Sequence, residues 1–180
     1  LDEVIAHWGL TVSEKKAILS RITGSSDFRD LADCDLIIET INSRKPGTNL
    51  EIRKEVFQKV EAVVREDTVI ASNTSTLMIS ELAQVLRHPE RAVGMHFISP
   101  ATDVKIVEVV KGVKTSDEAF ELVLKFARMV GKKVIHLSES PGIISTRLIV
   151  TLINEACNIL MEGVACLQAV DETMKLGYGL

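Results

Sequence analysis

The chain has 180 residues, of which 46% are apolar and 26% charged, the composition of a soluble globular protein. Its net charge of -4 offers no basic surface for nucleic acid or for a membrane, so we exclude both partner classes. The three cysteines have no metal-ligand spacing, and the sequence opens with no charged-then-apolar leader. We therefore expect reduced thiols, a cytoplasmic location and no metal site.

The first half of the chain alternates short apolar runs with amphipathic stretches. Residues 1–21 show weak helical periodicity, which predicts a packed helix. An apolar run at 35–41 is typical of a parallel strand covered on both faces, and Pro46-Gly47 predicts a loop over 42–48. The elements predicted next are a helix at 50–64, a strand at 68–72, a short helix at 79–86 and a strand at 91–97.

A further apolar run at residues 105–110 follows a loop that is too short for a crossover helix. We therefore predict that this strand pairs antiparallel at the edge of the sheet. A helix at 116–129, opened by a cap-like segment at 115–118, and a last strand at 133–137 follow. Alternating strands and helices indicate an α/β fold with a doubly wound sheet.

The segment at residues 138–142, Ser-Glu-Ser-Pro-Gly, predicts a domain boundary. It separates an α/β domain at 1–140 from the beginning of an all-helical domain at 141–180. Helices are predicted at 143–161 and 167–175, the second closed by Gly177. Charged and polar residues interrupt the apolar pattern of 143–161, which favours a buried amphipathic helix over a membrane span.

Polar residues follow three predicted strands, at Thr40, at 72–75 and at 96–99, where ligands bind in open α/β sheets. Glu108 lies within an apolar strand, and an unpaired buried carboxylate is costly, so it needs a donor. His96, on the preceding strand, is the nearest candidate. A histidine held by a carboxylate can move a proton on and off an alcohol. A plain structural pair, or a Glu108 directed to solvent from an edge strand, explains the pattern equally well.

Ser75 is the hydroxyl of the loop that follows the strand at 68–72. It could hydrogen-bond a substrate hydroxyl or a cofactor ribose. A serine that caps the next helix or closes a turn is the commoner use of this residue type. We assign Asn73 and Thr74 to the turn itself.

The sequence resembles the 3-hydroxyacyl-CoA dehydrogenase family from about residue 31 to its last residue. The resemblance rests on motifs in this order: Ala71-Ser72-Asn73-Thr74-Ser75, Gly94-Met95-His96-Phe97, Val107-Glu108-Val109, Pro141-Gly142, Asn154-Glu155-Ala156 and Met174-Lys175-Leu176-Gly177. It implies a Rossmann-like NAD-binding domain followed by a helical substrate and dimerisation domain. It also implies oxidation of a 3-hydroxyacyl-CoA to a 3-ketoacyl-CoA by NAD in fatty acid metabolism, in a cytoplasmic homodimer.

The resemblance also implies roles for individual residues. His96 is similar to the general base that removes the hydroxyl proton, and Glu108 to the residue that orients it. Ser75 is similar to the hydroxyl that meets both the substrate and the nicotinamide ribose. Thr146 occupies a substrate-contacting position. The implied cofactor-binding residues are Ser75, Ser99 and Arg53.

Some positions depart from the family pattern. Ser99 and Thr146 stand where the family has asparagine, Arg53 where it has lysine, and residues 42–48 resemble an insertion. Threonine has a single hydroxyl where asparagine offers both an amide donor and a carbonyl acceptor. These departures keep open a non-catalytic relative of the same fold, and a dehydrogenase of a free hydroxy acid is the other alternative.

The family's first β-α-β unit, with its glycine-rich turn, has no counterpart in the 180 residues, and neither does the rest of the helical domain. A pyrophosphate normally binds at that turn and at the helix N-terminus that follows it. We therefore expect these residues alone to bind NAD weakly or not at all, and to be inactive.

Overall fold

The computed structural model describes residues 9, 11–41 and 49–180. The predicted loop at 42–48 and the beginning of the predicted helix at 1–21 lie outside the described residues. Within the rest of that segment, helix α1 (Val12–Leu19) begins after Thr11, whose side chain accepts a hydrogen bond from the Glu14 amide. The Glu14 side chain accepts one from the Thr11 amide in return, so a capping box starts the helix.

One five-stranded sheet forms the centre of the fold and confirms the predicted α/β class. Its strands, in spatial as well as chain order, are β1 (Leu36–Glu39), β2 (Val69–Ser72), β3 (Ala92–Phe97), β4 (Ile106–Lys111) and β5 (Lys133–Ser138). The first three strands are parallel to one another. β4 runs antiparallel to β3, and β5 is parallel to β4.

Helices connect the strands and continue beyond the sheet. They are α2 (Asn49–Glu61), α3 (Ile79–Ala83), α4 (Asp117–Met129), α5 (Ser145–Met161) and α6 (Leu167–Glu172), with 3-10 turns at Phe28–Leu31 and Pro89–Arg91. A π-helical turn, Thr173–Tyr178, replaces the end of the predicted helix at 167–175. Gly179 closes it with a left-handed φ of 72°, so the prediction that Gly177 closes this segment is wrong.

The prediction that the strand at 105–110 lies at the sheet edge is also wrong. β4 is antiparallel to β3 as expected, but it lies between β3 and β5. The reason is α4, which crosses over after β4 and returns the chain as a parallel strand on its outer side. Residues of β4 are therefore enclosed by neighbours on both sides.

Helices cover the sheet on both faces. Buried side chains on the α2–α3 face include Phe57, Val60, Ile70, Ile79, Leu82 and Val110. Buried side chains on the α4 face include Val69, Val93, Met95, Val109, Val123 and Leu124. Successive side chains of a strand point to opposite faces, so His96 and Glu108 lie on the α2–α3 face, in line with Gly94 and Val110.

The helices at the end of the chain contribute no buried side chain. Exposed large apolar residues in this part include Leu148, Ile149, Ile153, Met161, Val164 and Leu167. The prediction that the helix at 143–161 is buried is wrong for the chain as described, because no side chain of α5 is buried and several of its large apolar side chains are exposed. Among residues 9, 11–41 and 49–180, no helix is long and apolar enough to cross a bilayer.

Candidate active site

The predicted contact between His96 and Glu108 is present in the structure. The two residues are register partners on antiparallel β3 and β4, and Nδ1 of His96 lies 2.8 Å from Oε2 of Glu108. Glu108 is only 2% exposed, which excludes the alternative in which it is directed to solvent. Cross-strand partners on one face have adjacent Cβ atoms, so the strand pairing itself produces the contact.

Glu108 has a second partner that the sequence analysis missed. The backbone amide of Ser145, the first residue of α5, donates to Oε1 at 3.0 Å. The Ser145 hydroxyl donates to Oε2 at 2.6 Å. The available signal was a hydroxyl residue at the start of a predicted helix, just after Pro141-Gly142, because exposed amides at a helix N-terminus attract carboxylates.

These contacts decide the charge of Glu108. Burial raises the pKa of its carboxyl, but hydrogen bonds from Ser145 and His96 outweigh burial, and the net pKa lies below the ordinary value of 4.5. The group is therefore a carboxylate at neutral pH and can only accept hydrogen bonds. It follows that Nδ1 of neutral His96 carries the ring proton and that Nε2 has a free lone pair.

Nε2 is the atom through which His96 can act on a ligand. His96 is half-buried, with 15% of its side chain exposed, and no described residue hydrogen-bonds to Nε2. A neutral imidazole with one nitrogen anchored and the other open can accept a proton from a hydroxyl group. The arrangement is thus competent for general base chemistry, and for general acid chemistry once the ring is protonated.

Arg53, predicted to bind a cofactor, is held at the carboxyl ends of β1 and β2. Its guanidinium forms an ion pair with Glu39 and donates to the Ser72 hydroxyl at 3.2 Å and to the Ile41 carbonyl at 2.6 Å. The Ser72 hydroxyl also donates to Glu39 at 2.6 Å. Nε of Arg53 is buried and has no hydrogen-bond partner among the described residues. Arg53 therefore forms part of the edge on which His96 lies and keeps one donor uncommitted.

Asn73 ties the strand ends of the site together. The backbone amide of Asn73 donates to the backbone carbonyl of Glu39 at 2.8 Å. The side-chain oxygen of Asn73 accepts from the backbone amide of Phe97 at 2.8 Å. The sequence analysis assigned Asn73 to a turn, but it joins the ends of β1, β2 and β3 beside His96. Thr74 does serve the turn, because its hydroxyl accepts from the Leu77 amide at 3.0 Å.

The other predicted site residues differ in how closely they approach the dyad. Ser75 is half-buried in the loop after β2, and its hydroxyl makes no hydrogen bond to another described residue. Thr146 is half-buried beside Ser145, so it lies on the same first turn of α5. Ser99 is exposed in the loop between β3 and β4. The structure thus brings the start of α5 to the dyad and places Ser75 and Ser99 on the loops at its edge.

The other candidate sites in the described residues have no pair of side chains suited to acid–base catalysis. Within the described ranges, no group of His, Cys, Asp or Glu side chains could hold a metal ion. A pocket of about 330 Å³ lies between α3 and residues 112–115, at the opposite end of the sheet from His96. Its lining is mostly apolar and includes no described acid–base pair. The His96–Glu108 pair therefore remains the candidate catalytic centre.

Two family models together match nearly the whole chain. The model of the 3-hydroxyacyl-CoA dehydrogenase NAD-binding domain matches residues 1–140. The model of the 3-hydroxyacyl-CoA dehydrogenase C-terminal domain matches residues 142–180. Together they cover the sheet, the dyad and the helices that follow.

Individual relatives agree with these models. The chain is 39% identical over 163 residues to a 3-hydroxybutyryl-CoA dehydrogenase of Clostridioides difficile, covering 91% of this chain and 56% of that protein. It is 35% identical over 162 residues to the human mitochondrial hydroxyacyl-coenzyme A dehydrogenase, covering 89% of this chain and 50% of that protein. The chain thus spans about half the length of the curated relatives it matches.

The fold is likewise similar to solved structures. The crystal structure of the (S)-3-hydroxybutyryl-CoA dehydrogenase from Ralstonia eutropha superposes with a TM-score of 0.90 at 34% identity. That match covers 99% of this chain and 62% of the other. Similarity over nearly the whole chain includes both the sheet and the C-terminal helices.

Proposed function

Because the chain belongs to the 3-hydroxyacyl-CoA dehydrogenase family, we propose that the protein containing it is an NAD-dependent oxidoreductase that interconverts 3-hydroxyacyl-CoA and 3-ketoacyl-CoA. The observation that carries the proposal is the His96–Glu108 pair, with Nδ1 anchored at 2.8 Å and Nε2 unoccupied by any described residue. A secondary alcohol can be oxidised only if a base removes its hydroxyl proton as hydride leaves the carbon.

In the proposed reaction Nε2 of His96 accepts the proton of the C3 hydroxyl group, and the C3–O bond becomes a carbonyl. NAD, when bound, supplies the acceptor for the hydride that leaves C3. The imidazolium that forms keeps its Nδ1 proton and continues to donate it to Glu108, whose negative charge stabilises the positive ring. In the reverse direction the same ring returns the proton to the carbonyl oxygen.

The residues around the dyad fit a dinucleotide and a thioester substrate. The uncommitted hydroxyl of Ser75 supports a contact with both the substrate and the nicotinamide ribose. The unpartnered Nε of Arg53 and the exposed hydroxyl of Ser99 support contacts with the cofactor. Thr146 can donate one hydrogen bond to the substrate, which is less than an asparagine amide offers.

We extend the proposal to the organisation of the whole protein. A boundary near residue 140 separates the cofactor domain from a helical domain, and the last strand ends at Ser138 just before it. The exposed apolar side chains of α5 support a homodimer formed through the helical domain. The unpaired cysteines Cys34, Cys157 and Cys166 support a reducing, cytoplasmic location. The substrate class supports a role in fatty acid β-oxidation.

The experiment is a steady-state assay of the complete protein with a short 3-ketoacyl-CoA and NADH, run beside the corresponding free 3-keto acid. The proposal expects turnover of the thioester and little turnover of the free acid. Turnover of the free acid alone would establish the other dehydrogenase class. A folded protein that binds NADH but turns over neither substrate would be a non-catalytic relative. Ser99 and Thr146, which stand where the family has asparagine, would then explain the loss of activity.

A further inference from the structure

Both oxygens of Glu108 are engaged, but they are engaged differently. Oε1 accepts from the Ser145 amide at 3.0 Å. Oε2 accepts from two donors at once, the Ser145 hydroxyl at 2.6 Å and Nδ1 of His96 at 2.8 Å. The oxygen that faces the histidine is therefore shared with a neutral donor from another element of the fold.

The turn before α5 fixes the position of Ser145. Gly142 and Ile143 adopt left-handed φ values of 77° and 40°, and such a conformation is unfavourable for a β-branched residue. Ile143 is nevertheless buried in the cluster that contains Ile79 and Val110. A side chain anchored in the core just before the helix begins holds the first turn of α5 against β4, so the Ser145 contacts do not depend on an exposed loop.

We propose that Ser145 is a positioning residue of the dyad: it holds both oxygens of Glu108 and, through its hydroxyl, weakens the attraction of Oε2 for the His96 ring. A donor on Oε2 withdraws part of the negative charge that stabilises the imidazolium. Ser145 thereby affects how readily His96 accepts a proton, because the two side chains share Oε2 of Glu108. The kinetic part of this inference rests on the proposed function, whereas the effect on the ring does not.

Few other charges act on the dyad. The register partner of Glu108 on β5 is Ile135, which does not titrate. Arg53 is paired with Glu39 at the end of β1, and Glu139, which follows β5, accepts from the Ser80 amide at the start of α3. Arg147 is exposed, and its stem lies beside Gly142. Among the described residues, His96 is therefore the titratable side chain that contacts Glu108.

The first test is an NMR titration of the His96 ring in the complete protein, with the signal assigned by its loss in His96→Gln. In Ser145→Ala we expect the pKa of His96 to rise by about half a unit to one unit, because Oε2 then serves the ring alone. The matched control is Thr151→Val on the same helix, which removes a hydroxyl that donates only to the Arg147 carbonyl. This control should leave the pKa of His96 unchanged.

A second pair of variants keeps the test valid if Ser145→Ala is unstable. Ser145→Thr and Ser145→Val have side chains of similar volume and differ in the hydroxyl alone. We expect Ser145→Thr to retain the wild-type pKa of His96 and Ser145→Val to raise it. Equal ring pKa values in these two variants, or a wild-type value in Ser145→Ala, would overturn the proposal.

The kinetic readout is the pH profile of kcat/KM for oxidation of a 3-hydroxyacyl-CoA. In Ser145→Ala the acidic limb of this profile should move to higher pH by the same number of pH units as the NMR titration of the ring. The plateau value of kcat/KM should stay as in wild type. An acidic limb that stays at its wild-type position while the plateau falls would show a purely structural role. A wild-type protein that oxidises no 3-hydroxyacyl-CoA would contradict the proposed function and leave the ring titration as an independent test of Ser145.

Discussion

The chemistry of the candidate site depends on which nitrogen of one imidazole is free. Glu108 is a buried carboxylate that accepts from Nδ1 of His96, so Nε2 is the atom available to a substrate. Exchanging the histidine for an amide of similar shape preserves a hydrogen bond to Glu108 but removes the base. The consequences can be tested at the two residues separately.

His96→Gln in the complete protein should lower kcat/KM by about a hundredfold or more, because a positioned base is lost. Steady-state kinetics measures the loss, and the thermal melting curve should stay close to wild type. The control is His88→Gln, which changes an exposed ring paired with Glu90 just before the amino end of β3, the end opposite to His96. Activity of His96→Gln within a few-fold of wild type would contradict the assignment.

Glu108→Gln should change how stability depends on pH. The pKa of Glu108 is lowered on folding, so its contribution is fully present above the ordinary value of 4.5 and declines as pH falls through the folded-state value. The free energy of unfolding of wild type should exceed that of Glu108→Gln near neutral pH, and the difference should shrink on acidification below 4.5. Urea denaturation over a pH series measures both, and a difference that grows on acidification would contradict this reading.

At the scale of elements, close packing between α3 and the sheet depends on Gly94, which has no side chain. A Cβ at Gly94 would lie 2.7 Å from Cβ of Val110 and 3.0 Å from Cγ1 of Ile79. Neither atom can move freely, since both residues belong to the buried cluster on this face. The glycine of the Gly94-Met95-His96 motif therefore lets α3 approach the strand that carries His96.

Gly94→Ala should lower the free energy of unfolding by about 1–3 kcal/mol, because overpacking a filled core forces its neighbours to shift. Chemical denaturation followed by circular dichroism measures this change. The matched control is Gly24→Ala, where no atom lies within 4 Å of the added Cβ. Equal stability of the two variants would show that α3 can move away from the sheet at little cost.

The elements that the sequence predicted well are those with a strong local signal. Strands β1, β2 and β3 are short apolar runs, and α4 has both a capping serine and a clear apolar stripe. The edge position assigned to β4 was wrong because strand order depends on where α4 returns the chain. The contact between Ser145 and Glu108 was missed for a related reason. It depends on left-handed backbone conformations at Gly142 and Ile143, and an isoleucine does not indicate such a conformation in the sequence.

At the scale of the whole molecule, the sheet and the C-terminal helices differ in how they bury apolar surface. The sheet is covered on both faces, whereas α5 and α6 leave large apolar side chains exposed. Several large apolar side chains exposed on one pair of helices favour interaction with another protein surface. The proposed homodimer gives that surface a partner.

We expect the complete protein to sediment as a dimer at micromolar concentration. Ile153→Glu, on the exposed apolar side of α5, should reduce the dimer fraction because a charge would enter the interface. Glu155→Gln, a polar change on the same helix, is the control and should leave the dimer intact. Analytical ultracentrifugation measures all three proteins, and a wild-type monomer would contradict the dimer.

The antiparallel return of β4 also bears on the order in which the site assembles during folding. His96 and Glu108 are separated by 12 positions, so their contact forms within a local hairpin. Ser145 is 37 positions beyond Glu108, and its contact closes a much longer loop that contains α4 and β5. Contacts between nearby residues cost less chain entropy and form earlier than distant ones. A chain emerging from the ribosome therefore carries the histidine–carboxylate pair before it carries the serine that moderates it.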